Sequence, residues 1–255
     1  MKIATWNVNS IRAREERALA WLAKEQPDIL CLQELKLEDE KFPTLAFKAL
    51  GYDSATFGQK TYNGVAILSR APITEVERGF EDGVDDAQAR FIAATTSGLR
   101  VLSAYMPNGE SIASEKFRYK LTWFERLAAW LGPRMARGNT LLLGDFNVAP
   151  GDLDVHSPAV LTGSLLCSEP ERAAYRKLLA LGFTDALRHL HPNERIYSWW
   201  DYRMLGFPKN RGLRIDHVLI TADLVPRLTR GWVDREERKG KQPSDHAPVL
   251  VEVKG

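Results

Sequence analysis

Leu141-Leu142-Leu143-Gly144-Asp145-Phe146-Asn147 is an apolar run that stops at a carboxylate and a carboxamide two positions apart. Its three consecutive leucines leave no polar face, as expected of a strand covered on both sides. Residues two apart on a strand share a face, so Asp145 and Asn147 are expected to point together from the strand's end, with Phe146 opposite. Two hydrogen-bonding side chains on one face are costly unless that face is wet or occupied.

Other segments end in the same way: Leu32-Gln33-Glu34, Arg214-Ile215-Asp216-His217 and Ser244-Asp245-His246. Together they supply carboxylates, amides and imidazole, with no serine or cysteine nucleophile motif. That inventory suits a hard-cation site hydrolysing a phosphoester.

Short apolar runs bounded by Gly, Pro, Asn or Asp mark strands around Ile3, at 29–32, 64–68, 91–94, 101–105, 141–143, 215–220 and 249–253. Helical spacing predicts helices over 12–24 and 114–131, and a third after Pro170 that ends near Leu181, before Gly182. No linker is long enough to divide the 255 residues, so a single domain over 1–255 is expected. Each half nevertheless has strands ending in polar groups, Asn7 and Glu34 early, Asp145 and Asn147 late. Two sheets packed face to face with helices outside would bring these ends to one rim.

Lys and Arg number 35 against 33 Asp and Glu, a balance of +2 that neither requires nor excludes a polyanionic partner. Cys31 and Cys167 cannot build a disulfide framework, and Cys31 lies in an apolar run as a small buried hydrophobe. No stretch approaches the ~18 apolar residues of a membrane span, and no apolar leader opens the chain. A soluble cytoplasmic protein without membrane contact is expected.

Glu34 emerges where a buried strand stops, and Mg²⁺ takes one or two carboxylates while keeping waters that a phosphate can displace. Asn7 stands at the end of the first strand, where Asn7-Val8-Asn9-Ser10 also reads as a helix cap. His246 has a candidate partner in Asp216, because a carboxylate that hydrogen-bonds an imidazole fixes its tautomer and raises its basicity. His217 points to the opposite face and is assigned to structure, while His156, His189 and His191 carry no partner pattern.

Six motifs in order, Trp6-Asn7-Val8-Asn9-Ser10-Ile11-Arg12-Ala13, Leu32-Gln33-Glu34-Leu35-Lys36, Tyr62-Asn63-Gly64-Val65-Ala66-Ile67, Gly144-Asp145-Phe146-Asn147-Val148-Ala149-Pro150, Gly212-Leu213-Arg214-Ile215-Asp216-His217 and Ser244-Asp245-His246-Ala247-Pro248, run through nearly the whole chain. This series resembles the exonuclease III family of AP endonucleases, within the endonuclease/exonuclease/phosphatase superfamily. The resemblance implies an α/β (α+β) fold: a DNase I-like, four-layer α-β-β-α sandwich of two mainly antiparallel sheets with two pseudo-symmetric halves. It also implies a monomeric Mg²⁺-dependent hydrolase, Mn²⁺ substituting, that cuts duplex DNA 5′ to abasic sites and trims blocked 3′ ends.

Residue by residue, the resemblance implies that Asn7, Glu34 and Asp245 sit at the metal, Glu34 foremost, with Asp145, Asn147 and His246 bordering it as further ligands. Asp145 would deprotonate the attacking water and Asn147 orient it. His246, held by Asp216, and Tyr105 would contact the scissile phosphate. Lys36, Asn108 and Arg214 are implied DNA contacts, and Trp199, Leu213 and Ile215 the walls of a pocket for a flipped abasic sugar. The segment Met204-Leu205-Gly206-Phe207-Pro208-Lys209-Asn210 departs from the family's usual residues and is expected to be a loop at the DNA minor groove. Two other readings are a superfamily phosphoesterase acting on RNA, inositol phosphates or phospholipid headgroups, and a non-catalytic DNA-binding module. An apolar docking loop or secretion signal would favour the former, and missing motif groups the latter; neither sign is present.

Overall fold

A computed structural model describes residues 1–254. The chain runs through β1 (Lys2–Asn7), α1 (Ile11–Glu25), β2 (Ile29–Gln33), α2 (Thr44–Ala49), β3 (Asp53–Phe57), β4 (Val65–Ser69), β5 (Thr74–Arg78), β6 (Phe91–Thr96), β7 (Leu99–Tyr105) and α3 (Glu115–Leu131). It continues through β8 (Thr140–Asp145), α4 (Pro158–Leu161), α5 (Glu169–Ala180), β9 (Phe183–Asp185), α6 (Ala186–Leu190), β10 (Trp199–Trp200), β11 (Gly212–Leu213), β12 (Asp216–Thr221), β13 (Leu228–Val233) and β14 (Val249–Val253).

Two six-stranded sheets follow one plan. Their strand orders are β13-β14-β1-β2-β4-β3 and β5-β6-β7-β8-β12-β9. At the centre of each lies its one parallel pair, β1 with β2 and β7 with β8, and every other pairing is antiparallel. A parallel pair needs a crossover, which α1 supplies in the first sheet and α3 in the second.

Alternation along the strands builds the layers. Ile3, Ile29, Cys31 and Ile67 of the first sheet meet Val101, Leu141, Leu143 and Val218 of the second in the central core. Their neighbours face outward: Ala4, Leu30 and Leu68 bury against Trp21 and Leu22 of α1. On the other side Leu102, Leu142 and Leu219 bury against Trp123, Phe124 and Leu127 of α3 and Leu178 of α5. The result is helix, sheet, sheet, helix, as expected. Among the described residues no helix is long and apolar enough to cross a membrane.

Ser10 caps α1, its hydroxyl accepting from Ala13 N, and Ser114 caps α3 by accepting from Phe117 N at 3.1 Å. The cap role considered for Asn7 thus belongs to Ser10. Edge strands β3, β5, β9 and β13 were not expected; their apolar residues are interleaved with charged and turn residues. His191 also has partners: its ring nitrogens lie 2.9 Å from Glu194 and 2.8 Å from the Gly231 carbonyl.

The strand expected at 215–220 begins at Asp216 as β12, and Gly212–Leu213 forms the separate β11. Between them the backbone bonds elsewhere, Arg214 N donating to Asp154 O at 2.9 Å and Ile215 O accepting from Phe146 N at 2.8 Å. Leu213 and Ile215 therefore do not share a strand face, although both bury in one cluster with Trp199.

Candidate active site

Register aligns three functional side chains. Tyr105 pairs with Asp145 across β7 and β8, and Asp145 pairs with Asp216 across β8 and β12. The row forms one wall of the site. β7 and β8 can close this tightly only because position 144 is glycine: a Cβ there would meet the Ala104 carbonyl oxygen at 1.8 Å, at a φ of 147°.

The opposite wall comes from the first sheet. Asn7 ends β1, and Glu34 follows β2 in a left-handed conformation at φ 54°. The Asn7 Nδ2 donates to Glu34 Oε1 and to Asp145 Oδ2, each at 2.9 Å, so one amide joins carboxylates from both sheets. Its Oδ1 accepts from Asn9 N at 2.9 Å. Asn7 thus offers its nitrogen to both carboxylates and joins them.

Asp145 and Asn147 do converge, but through a turn. The strand stops at Asp145, and Asn147 adopts φ 51°, from which its backbone N donates to Asp145 Oδ1 at 2.9 Å. Its side chain donates to Met106 O at 2.9 Å and accepts from Asn108 Nδ2 at 3.0 Å. Phe146 faces away, packed against Tyr175 and His217. His217 is buried with a ring nitrogen 2.9 Å from Val148 O, a structural role as expected.

His246 completes the site. Its Nδ1 lies 2.9 Å from Asp216 Oδ2, which also accepts from the Ser198 hydroxyl at 2.6 Å, and its Nε2 lies 3.7 Å from Asp145 Oδ2. Burial opposes its charge, but Asp216 and then Asp145 outweigh burial and push its pKa up to about 10. With Nδ1 held by Asp216, His246 presents its Nε2 to the site. Asp145 is raised as well: burial, with Asp216 and Glu34 nearby, pushes its pKa up to about 7 despite His246. Burial likewise raises the Tyr105 hydroxyl well above its ordinary value, keeping it a neutral donor.

Glu34 is ionised: burial favours its neutral form, but the Lys36 ammonium and the Asn7 amide hold its carboxyl below the usual range. Lys36 lies 2.9 Å from Glu34 and also donates to Asn9 at 2.6 Å. Asn9, missed in the sequence because it reads as a turn residue, then donates to Asp245 Oδ1 at 3.0 Å, and Trp199 Nε1 donates to Asp245 Oδ2 at 2.9 Å. Both Asp245 oxygens are thus engaged.

Ligand atoms of Glu34, Asp145 and His246 lie within 4.8 Å of one another. The Glu34 and Asp145 oxygens that share the Asn7 amide are hard donors, and such a pair fits a hard divalent cation. A groove of about 630 Å³ opens from Glu34 and Tyr105 past Lys36, Tyr62, Arg90 and Asn108. Arg214 departs from its expected place as a DNA contact. It is buried, with Nε 2.7 Å from Asp154 and Nη1 2.8 Å from Asp185, an internal ion cluster no strand of DNA reaches.

Residues 4–246 match the Endonuclease/Exonuclease/phosphatase family. Exodeoxyribonuclease III of Haemophilus influenzae is 39% identical, over 100% of both chains. Among solved structures, the 3′ phosphatase NExo from Neisseria bound to product DNA hairpin superposes with a TM-score of 0.98 at 46% identity, over 100% of both chains. An AP endonuclease from Archaeoglobus fulgidus superposes at 0.95 with 42% identity, over 99% of both chains. Likeness of this extent takes in every residue that lines the site, and the chain therefore belongs to the endonuclease/exonuclease/phosphatase family, within its exodeoxyribonuclease III group.

Proposed function

We propose that the protein is a DNA-repair phosphodiesterase that hydrolyses duplex DNA 5′ to abasic sites and acts at 3′ ends as a 3′–5′ exonuclease and 3′-phosphatase. The observation that carries this reading is the Asp145 carboxylate, held by the Asn7 amide and Asn147 N while facing the His246 cation. It is supported by the activities named for the relatives, exodeoxyribonuclease, AP endonuclease and 3′ phosphatase.

Phosphodiester hydrolysis gathers charge on the non-bridging oxygens and on the departing 3′ oxygen. Asp145, with its affinity for a proton raised, takes one from the attacking water as the new bond to phosphorus forms. His246, fixed by Asp216, and the neutral Tyr105 hydroxyl donate to the phosphoryl oxygens. Glu34 would hold a divalent cation, Mg²⁺ or its substitute Mn²⁺, which would supply positive charge to the phosphate. Asp245 contributes through Asn9 and Trp199, which it orients on either side. Trp199, Leu213 and Ile215 form the apolar recess for a sugar without its base. We assign the enzyme to the cytoplasm as a single-domain monomer.

The test uses purified protein on three duplexes, carrying an abasic analogue, a recessed 3′ end and a 3′ phosphate, with Mg²⁺, Mn²⁺ or excess EDTA. Cleavage that EDTA abolishes and Glu34→Ala makes more demanding of Mg²⁺ is expected. Full activity in EDTA overturns the metal assignment, and inertness on all three duplexes overturns the substrate.

A further inference from the structure

Behind the site, Lys120 of α3 and Glu171 in the first turn of α5 form an ion pair with neither side chain exposed to solvent. The ammonium has three protons and meets three acceptors: the Glu171 carboxylate, Asn147 O at 2.7 Å and Asn108 O at 3.1 Å. Glu171 is equally occupied. It accepts from Leu166 N and Ser168 N, each at 3.0 Å, and from the Ser168 hydroxyl. A buried ion pair is a poor way merely to join two helices, since well-packed apolar residues serve as well or better.

What an apolar pair lacks is the capacity to hold two carbonyls. Asn108, which lines the groove, follows β7, and Asn147 follows the neighbouring β8. Their side chains bond to each other, Asn147 also reaches Met106 O, and Asn147 N fixes Asp145. One ammonium thus spans both loops, one bond removed from the Asp145 carboxylate. We propose that Lys120, anchored by Glu171, is a positioning residue of the active site that fixes the spacing of the Asn108 and Asn147 loops and so the aim of Asp145. This rests on the role given to Asp145 and Asn147 above. Lys120 touches no reacting atom.

Two variants and two readouts test it. Lys120→Met removes the bonds but leaves Glu171 an uncompensated buried charge, so it is paired with a Lys120→Met, Glu171→Gln double variant, which removes the charge and keeps an acceptor for the Leu166 and Ser168 amides. Kinetics are measured on the abasic and 3′-phosphate duplexes, with amide hydrogen exchange on residues 106–109 and 145–149 of the free protein. Both variants are expected to lose about 10²-fold in kcat, with KM within about threefold of wild type. Exchange in the two loops quickens, and the double variant regains part of the lost melting temperature but not kcat. Recovery of kcat together with stability in the double variant overturns the proposal, as does loop exchange that stays at the wild-type rate. A wild-type protein that cleaves neither duplex overturns the proposed function instead, while loop exchange still reports on Lys120.

Discussion

Asp216 holds His246 across the seam between the two sheets: the carboxylate at the start of β12 meets the ring nitrogen of a residue that leads into β14, 2.9 Å apart. Neither acts alone, because the ring's charge and direction both depend on the carboxylate. Asp216→Ala, His246→Ala and the double variant are expected to lose similar activity, since residues acting as a unit are not additive. A double-mutant cycle on kcat checks this, and losses that multiply would separate the two.

Asp145→Asn keeps the shape of the side chain and removes its basicity. The expected result is a fall in kcat of at least ~10²-fold with DNA affinity largely retained. Single-turnover kinetics with a separate binding measurement distinguish this from a KM effect, which would make Asp145 a binding residue.

Trp199→Ala enlarges the apolar recess and also frees an oxygen of Asp245. Discrimination between abasic and undamaged duplex is expected to narrow while the melting temperature stays close to wild type. Trp199→Phe, which keeps the wall and loses only the N–H donor, should retain most of the discrimination. If Trp199 were simple core, Trp199→Ala would cost ~3–5 kcal/mol of stability and lower all activities together.

The Arg214 cluster sets acid stability. Burial alone would raise the carboxyls of Asp154 and Asp185, but the Arg214 guanidinium overrides it and holds both below the usual carboxylate range. Folded values below the unfolded ~3.9 mean stability that is present above that pH and is lost as pH falls through the folded values. Asp185→Asn is therefore expected to cost ~3–5 kcal/mol near neutral pH, by leaving a buried charge short of its partner, and to flatten the acid limb. Urea melts from about pH 1.5 to 7 read both effects; an unchanged acid limb would remove Asp185 from this role.

Much of this was legible in the chain because strand ends carry their chemistry next to apolar runs. Glu34, Asp145, Asp216 and His246 all lie beside such runs, and the structure gathers them into one pocket. What the sequence hid depends on tertiary pairing. Arg214 sits within the most recognisable motif yet points inward, because Asp154 and Asp185, distant in sequence, wait for it there. Asn9 and Lys120 resemble an ordinary turn residue and an ordinary helix lysine until the loops they bridge are brought together. Orientation was also hidden: only the bond from Asn9 N to the Asn7 oxygen turns the amide nitrogen toward the carboxylates.

The two sheets divide the candidate site between them, Asn7, Glu34 and His246 coming from or leading into strands of one, Tyr105, Asp145 and Asp216 from the other. Catalysis consequently serves as a gauge of how the two sheets are seated. A substitution in the seam between Ile3, Cys31, Val101 and Leu143 that lets the layers slide by an ångström would leave strand and helix content, and so the far-ultraviolet spectrum, intact while the enzyme falls silent.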